Sequence, residues 1–282
     1  MIEILDAGLL TTVQDLGRPG RAALGVPPSG ALDAPSLRLA NRLVGNPEGA
    51  AGLETTLTGV TVRLHAGRYL AVTGAPAPLR LDGRPVDPHG AFWAPAGSVL
   101  RVGPASAGVR SYLGIAGGIA VPPVLGSRSR DVLSGLGPEP PRPGTRLPLG
   151  RPGGLPPGVA AVPVPDLPAE PVLRLLPGPR AGWFTAAARA ALHGTRYEVT
   201  PRSNRIALRL AGQALERSVS RELPSEGLLT GAIQVPPNGQ PVLFLADHPT
   251  TGGYPVIAVV HPDDLPLAAQ ARPGTGIRFR RV

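Results

Sequence analysis

The residues best suited to chemistry lie in one stretch, ADHPTTGGYP, residues 246–255. The apolar run 242–246 precedes it and predicts a strand that ends at Asp247 and His248. Either side chain can act as a general base or can orient one. We therefore treat Asp247 and His248 as candidate catalytic residues.

A loop follows the two candidates and contains four residues that can bind a substrate. The hydroxyls of Thr250 and Thr251 are hydrogen-bond donors, and Gly252 and Gly253 allow the backbone to approach a ligand closely and to present N–H groups to an anion. An ordinary turn between two strands explains the same residues, since Asp and Gly are common in turns. The local pattern leaves both interpretations open.

A second group of polar residues, in TTVQDLGRPG at 11–20, follows a predicted strand. Arg18 suits a carboxylate or a phosphate, and Asp15 is near enough in sequence to orient it, with Gln14 beside them. These three are candidate substrate-binding residues. A strand end carrying a surface ion pair is the alternative that the local pattern favours.

A third candidate is Ser29, in the loop GVPPSGALD at 25–33, which leads into a predicted helix over 33–45. Ser29 and the first turn of that helix can face an anion. Simple capping of the helix by Asp33 is the favoured alternative, because Asp is a strong N-cap residue and Pro35 is tolerated in the first turn.

Three further polar residues lie near predicted turns in the second half of the chain. Asn204 and Arg205 come in a Ser-Asn-Arg sequence, and Gln234 precedes a Pro-Pro turn. Each is a candidate for lining a substrate cleft. Turn chemistry accounts for each equally well.

Missing residue types exclude several kinds of chemistry. The chain has no Cys, and all 28 of its basic residues are Arg. A thiolate nucleophile, a Cys-ligated metal, a Schiff-base lysine and a biotinylated lysine on this chain are thereby excluded. The five His residues are dispersed and no metal site is predicted. The sequence also lacks the phosphate-binding motif G-x-x-x-x-G-K-[ST].

The charge and hydropathy argue against a nucleic-acid or membrane partner, and we expect a cytoplasmic protein. The formal net charge is +9, but the Arg residues are scattered and only 4% of residues are aromatic, so we expect no nucleic-acid partner. No apolar run approaches 18 residues, so we expect no membrane partner. The N-terminal sequence MIEILDAG has an early acid and no basic region, which predicts no signal peptide.

Short apolar runs separated by turn signals predict a mainly β fold with a few short helices. The segments APAGSVLRV (94–102) and ARPGTGIRF (271–279) are faintly similar and favour two related β-barrel units. Twelve prolines fall between positions 138 and 171, where regular structure is disfavoured. We therefore predict an N-terminal unit over 1–125, a Pro/Gly-rich linker or arm over 126–171, and a C-terminal unit over 172–282.

An ordered series of segments resembles one family over nearly the whole chain. The family is that of the C subunit of prokaryotic 5-oxoprolinase, also named KipA, allophanate hydrolase subunit 2 and the biotin-dependent carboxyltransferase domain. The segments that carry the resemblance are TTVQDLGRPG (11–20), GVPPSGALD (25–33), LRLANRLVGNP (37–47), RSYLGIAGGIAVPPVLGSRS (110–129), SNRIALRLAG (203–212), SEGLLTGAIQVPPNGQPV (225–242) and LADHPTTGGYP (245–255). One departure is Pro249, where the family more often has Gln.

The resemblance implies a cyclophilin-like β-barrel architecture and a role in a complex. It implies that the chain, with a KipI-like B subunit and a LamB/YcsF-like A subunit, opens the ring of 5-oxo-L-proline to L-glutamate, a hydrolysis of a cyclic amide C–N bond. ATP is used by the complex and not necessarily bound by this chain. Two alternatives follow from the same resemblance: a non-catalytic regulatory subunit that binds a KipI-like partner, and a carboxyltransferase component of a urea carboxylase, with biotin on another protein.

Overall fold

The structure is a computed structural model that describes residues 1–154, 156, 158, 162–164 and 166–282. It divides into two compact units. The first comprises Met1–Arg18, Ser29–Asp131 and Gly135–Leu167, and the second comprises Pro19–Pro28, Val132–Ser134 and Pro168–Val282. Much of the proline-rich segment predicted as a linker or arm thus belongs to the first unit.

The first unit contains two antiparallel sheets. Their strands are β1 (Ile2–Asp6), β2 (Leu10–Gln14), β3 (Gly52–Thr56), β4 (Val60–Leu64), β5 (Arg68–Gly74), β6 (Leu79–Leu81), β7 (Arg84–Val86), β8 (Ala91–Ala94), β9 (Val99–Val102), β10 (Arg110–Ile115) and β11 (Arg146–Leu147). One sheet has the strand order β11-β1-β4-β9-β6-β7, and the other has the order β2-β3-β10-β5-β8.

Alternation along the strands determines how this unit packs. Val60, Val62 and Leu64 are buried in β4, whereas the residues between them are more exposed, as expected for a strand with one face in the core. Apolar side chains from both sheets, among them Ile4 and Leu113, join these three in one buried cluster. Burial of such side chains is the main favourable contribution to folding.

Two local sequence signals shape the first unit. Asp33 caps helix α1 (Ala34–Leu43), because its carboxylate accepts a hydrogen bond from the Ser36 backbone N–H at 3.1 Å. Asp82 and Gly83 join β6 to β7, with φ of 50° and 80°. A two-residue hairpin turn of this kind needs positive φ at both positions, and Asp-Gly supplies it.

The second unit contains a closed seven-stranded barrel. Its strands are β12 (Val172–Pro177), β13 (Arg196–Val199), β14 (Ala207–Ala211), β16 (Ala232–Gln234), β17 (Val242–Phe244), β19 (Val256–Val260) and β20 (Gly276–Arg281), in the order β12-β19-β16-β17-β14-β13-β20 around the barrel. A separate two-stranded ribbon pairs β15 (Glu226–Gly227) with β18 (Thr251–Gly252). The predicted mainly β fold with barrel units and few short helices is confirmed.

The second unit contains two short α-helices. Helix α2 (Ala186–Gly194) begins directly after Thr185, which caps it by accepting a hydrogen bond from the Ala188 N–H. Helix α3 (Leu265–Ala269) follows a short 3₁₀ turn. Within the part of the chain that the structure describes, no helix is long and apolar enough to span a membrane.

An ion pair ties α3 to the barrel. The Asp264 carboxylate accepts hydrogen bonds from Arg174 of β12: Nε at 2.9 Å, Nη2 at 2.7 Å and the backbone N–H at 2.7 Å. Hydrogen bonding to Arg174 lowers the pKa of Asp264 below its usual range, and this outweighs the opposing effect of burial. The pair therefore stabilises the folded chain whenever Asp264 is ionised.

We expect this pair to give the stability of the second unit a specific acid dependence. Because the folded pKa of Asp264 lies below the unfolded value of about 4, the unfolded chain binds more protons in this range. The stabilisation is therefore present above about pH 4 and disappears as the pH falls through the folded pKa. Asp264→Asn should cost about 1–3 kcal/mol at pH 7 and flatten that acid limb, as measured by urea unfolding from pH 7 to pH 2.

Asp263→Asn is the matched control for this prediction. Asp263 is exposed and lies 3.7 Å from the same guanidinium, so its loss should change stability by only about 0–1 kcal/mol. Equal acid dependence in the two variants would show that the Arg174–Asp264 pair is not the source.

Candidate functional site

A cavity of about 310 Å³ lies against the outer face of three neighbouring barrel strands, β16, β17 and β14. Cross-strand register brings its wall together, since Ala207 pairs with Phe244, and Val242 pairs with both Arg209 and Gln234. Neighbouring positions such as Leu208 point the other way and are buried. Because successive side chains of a strand point to opposite faces, one set lines the cavity and the other set packs inside the barrel.

The composition of this wall suits a small organic ligand. Most of it is apolar, with a few polar groups. The lining residues are Asn204, Ile206, Ala207, Arg209, Gln234, Pro236, Val242, Phe244, Pro249, Gly252, Gly253 and Tyr254. Small-molecule sites typically have volumes of about 300–1,000 Å³ and combine apolar walls with a few polar groups that fix the ligand's orientation.

The loop that was predicted to bind substrate forms one side of the cavity. It is held by its pairing with β15, in which Gly252 lies opposite Glu226, and by a hydrogen bond from the Leu228 N–H to the Thr250 carbonyl at 2.9 Å. The Gln234 amide Nε2 also donates to the Tyr254 carbonyl at 2.8 Å. These bonds fix the Thr-Thr-Gly-Gly loop beside the strands.

Gly252 is required by a close approach of side chains. A Cβ at this position would lie 2.7 Å from Gln234 Nε2 and 2.9 Å from Leu228 Cδ1. Gly253 is different, because a Cβ there would meet only the Leu223 carbonyl oxygen at 3.6 Å. Only the first of the two glycines is therefore demanded by packing.

Asp247 anchors the loop through a buried ion pair. Its Oδ2 accepts from Arg205 Nε at 2.9 Å and from the Val132 N–H at 3.1 Å, and its Oδ1 accepts from Arg205 Nη2 at 3.2 Å. The Arg205 and Asp247 side chains are 1% and 0% exposed. This bidentate arrangement suits an anchor, since Arg205 and Asp247 neutralise each other away from water.

His248 lies immediately behind the cavity wall. It is buried, and its ring makes an edge contact with the ring of Phe244, with centroids 6.3 Å apart. Nδ1 lies 2.7 Å from the Pro249 carbonyl oxygen. Because a carbonyl oxygen only accepts, Nδ1 carries the proton of this contact.

Asn204 shapes its own loop while lining the cavity. Its Oδ1 accepts hydrogen bonds from the backbone N–H groups of Ile206 at 2.8 Å and Ala207 at 3.3 Å. The side-chain oxygen thus stabilises the turn that leads into β14. The amide nitrogen of Asn204 is the group with spare donors.

The other four predicted substrate-binding residues belong to the first unit. All four make hydrogen bonds to the same segment, residues 124–130. The Asp15 carboxylate accepts from the hydroxyls of Ser127 and Ser129, both at 2.6 Å, and from the Arg128 N–H at 2.6 Å. Asp15 thereby fixes the backbone of that segment.

Arg18, Gln14 and Ser29 bind the same segment. Arg18 is buried and donates to the carbonyls of Ser129 and Val124. Gln14 Nε2 and Ser29 Oγ both donate to the Arg130 carbonyl, at 2.9 Å and 3.2 Å.

The structure thus divides the predicted residues. Asn204, Gln234, Gly252 and Gly253 line the cavity; Asp247, His248, Arg205, Thr250 and Thr251 belong to the second unit but are not in its lining. Eight lining residues were missed, among them Arg209, Phe244 and Tyr254. The available signal for Arg209 was the alternation of β14, which makes it an outward residue between buried Leu208 and Leu210.

Tyr254 is positioned by a cation–π contact, with the Arg217 guanidinium 5.8 Å from the ring centroid. Arg217 also donates to the Val235 carbonyl. In the part of the chain that the structure describes, no cluster of three or more His, Asp or Glu side chains could hold a metal ion. The residues that line the cavity offer amide, guanidinium, backbone and aromatic groups to a ligand.

Sequence comparison places these features in a known family. The family model for the carboxyltransferase domain, subdomain A and B, matches residues 24–281. The C subunit of the 5-oxoprolinase of Escherichia coli (strain K12) is 42% identical over 282 residues, which cover 99% of this chain and 90% of that protein.

Two solved structures are similar over the whole length. The crystal structure of TTHA0988 has a TM-score of 0.89 and 40% identity, covering 99% of this chain and 55% of that one. The K. lactis urea amidolyase has a TM-score of 0.92 and 30% identity, covering 100% of this chain and 18% of that one. This chain therefore spans about half the length of the first and under a fifth of the second.

Proposed function

The chain belongs to the carboxyltransferase-domain family, subdomain A and B, and from this premise we propose that it is the C subunit of an ATP-dependent 5-oxoprolinase complex. With A- and B-type subunits, LamB/YcsF-like and KipI-like, it would hydrolyse 5-oxo-L-proline to L-glutamate. The observation that carries the proposal is the 42% identity to the C subunit of a 5-oxoprolinase over 99% of this chain.

The cavity supports this proposal by its chemistry. Ring opening adds one water across the C–N bond of a lactam, which is a stable amide, and ATP supplies the driving force. The substrate is small and mostly neutral, with one carboxylate. The Asn204 and Gln234 amides, the Arg209 guanidinium and the backbone of Gly252 and Gly253 offer the donors that such a substrate needs.

Proton handling in this proposal stays with Asp247 and His248. His248 is the better placed of the two, because its ring contacts Phe244 of the cavity wall. Asp247 is engaged by Arg205 and the Val132 N–H, so its main part is to position the loop that follows. ATP is used by the complex, and the sequence has no phosphate-binding loop to assign it to this chain.

Reconstitution tests the proposal. The purified chain, alone and with its A- and B-type partners, is assayed for glutamate formed from 5-oxo-L-proline with and without ATP. We expect turnover only when all three proteins and ATP are present. A well-formed complex that produces no glutamate would contradict the proposal and would favour a non-catalytic regulatory role for this chain.

A second candidate function is carboxyl transfer in a urea carboxylase. It is favoured by the likeness to urea amidolyase, with a TM-score of 0.92 at 30% identity. The biotin would be carried by another protein, because this chain has no lysine to attach it to. Transfer of a carboxyl group from carboxybiotin to urea by the reconstituted proteins, in place of glutamate formation, would establish this alternative.

A further inference from the structure

A second and larger cavity, of about 420 Å³, lies in the second unit where helix α2 meets strands β12, β19 and β20. None of its lining residues lines the cavity described above. An inference drawn from it is therefore independent of the proposed function. Its volume falls within the range of about 300–1,000 Å³ typical of small-molecule sites.

Apolar side chains form the inner part of this cavity. Leu175 of β12, Ile257 and Ala258 of β19, and Leu192 of α2 line it, and all four are buried. An apolar group placed against them leaves water, which is favourable in proportion to the apolar surface removed from it. The wall therefore selects a ligand with an apolar body.

The polar groups of this cavity are cationic or hydrogen-bond donors. They are Arg281 at the end of β20 and Arg189 and His193 on α2, and no Asp or Glu is among the lining residues. Within the residues that the structure describes, the Arg281 guanidinium has no hydrogen-bond or ion-pair partner, whereas Arg189 donates to the Phe184 carbonyl. The cavity thus has one cation ready to bind an anion.

His193 lies close enough to Arg281 to respond to its charge. Burial, and then the positive charge of Arg281, lower the pKa of His193. At neutral pH its ring is therefore uncharged and can donate one N–H. A bound anion would therefore find both the Arg281 charge and this donor among the lining residues.

We propose that this cavity binds a small organic carboxylate, with its carboxylate on Arg281 and its apolar body against Leu175 and Leu192. A guanidinium matches a carboxylate with two parallel hydrogen bonds. An inorganic anion would leave the apolar wall uncovered, and a neutral or cationic ligand would leave Arg281 unpaired. Only an amphipathic anion covers the apolar wall and also pairs with Arg281.

Calorimetric titration of the full chain with four probes tests the ligand class. The probes are hexanoate, 1-hexanol, hexylammonium and inorganic phosphate, at one pH and one ionic strength. We expect hexanoate to bind at least about ten-fold more tightly than each of the others, because charged hydrogen bonds contribute a factor of that order. Equal binding of phosphate or hexylammonium, or no binding of hexanoate, would overturn the proposal.

Matched variants test the location. Arg281→Gln should weaken hexanoate binding about ten-fold or more. Arg280→Gln removes the same charge from the neighbouring residue, which is exposed like Arg281 but does not line the cavity, and should leave the affinity nearly unchanged. Equal losses in both would indicate a general attraction to the basic surface and would contradict the assignment.

A second pair of variants fills the cavity without touching the cation. Ala190 and Ala187 are both exposed on α2, and only Ala190 lines the cavity. Ala190→Phe should abolish hexanoate binding, and Ala187→Phe should preserve it, with urea unfolding confirming that both variants fold. Unchanged binding in Ala190→Phe would place the hexanoate elsewhere.

Discussion

Replacing Asp247 with Ala is expected to lower the free energy of unfolding of the second unit by about 3–5 kcal/mol. The change removes the bidentate carboxylate partner of the Arg205 guanidinium, which is 1% exposed. It also removes the acceptor of the Val132 N–H. Breaking one half of a buried ion pair is costly for this reason, whatever the net contribution of the intact pair.

Tryptophan fluorescence can report this loss for the second unit alone. The chain has two tryptophans, of which Trp93 belongs to the first unit and Trp183 to the second. Trp93 is about half exposed, so Trp93→Phe is a mild background in which Trp183 is the only reporter. Urea unfolding at pH 7 of this background, with and without Asp247→Ala, gives the difference.

A double variant distinguishes two causes of this loss of stability, which are the broken ion pair and a disturbed loop. In Arg205→Met/Asp247→Leu both charges are gone, and buried pairs are often replaced by apolar side chains at little cost. We expect this double variant to regain at least half of the stability lost in Asp247→Ala. The single variants Arg205→Met and Asp247→Leu complete the comparison. If their losses of stability simply add in the double variant, the two residues are not energetically coupled.

Features of the fold that depend on neighbouring residues can be predicted from the sequence. Capping by Asp33, the Asp82-Gly83 hairpin and the alternation in β4 each involve residues at most three or four positions apart. Their energetics are local, because a cap or a tight turn satisfies the backbone within one turn of chain. The loop that contains Gly252 and Gly253 was recognisable for the same reason.

The pairing of Asp247 with Arg205 was not predictable from local pattern. The two residues are 42 positions apart, and their elements are brought together by the pairing of β14 with β17. The local pattern indicates a candidate base at Asp247 and, separately, a candidate cleft-lining residue at Arg205. Only the strand register shows that the two side chains bind each other.

The same limit explains the residues of the first unit. Asp15 and Arg18 are three positions apart, which suggested an acid that orients an arginine. In the structure Asp15 instead accepts hydrogen bonds from Ser127 and Ser129, more than 110 positions away. Arg18 also binds the Ser129 carbonyl, so the two polar residues hold one distant segment in place.

Replacing Gly252 with Ala is expected to lower the turnover of the reconstituted 5-oxoprolinase complex about 10–100-fold. The added Cβ would lie 2.7 Å from Gln234 Nε2 and 2.9 Å from Leu228 Cδ1, closer than packed atoms tolerate. Overpacking of this kind typically costs about 1–3 kcal/mol. Here it is relieved by moving the Gln234 amide, a cavity-lining group, or the loop that Gln234 holds through the Tyr254 carbonyl.

Gly253→Ala is the matched control, because it adds the same methyl group to the next residue of the same cavity wall. Its Cβ would meet only the Leu223 carbonyl oxygen at 3.6 Å, an ordinary contact, so turnover should stay within about two-fold of the unmodified complex, since such a contact stores little strain. Because both glycines line the cavity, a large loss in Gly252→Ala alone identifies the Gln234 contact as the cause. If both variants keep the turnover of the unmodified complex, the geometry of this wall does not limit the reaction. The site would then have to be sought elsewhere in the complex.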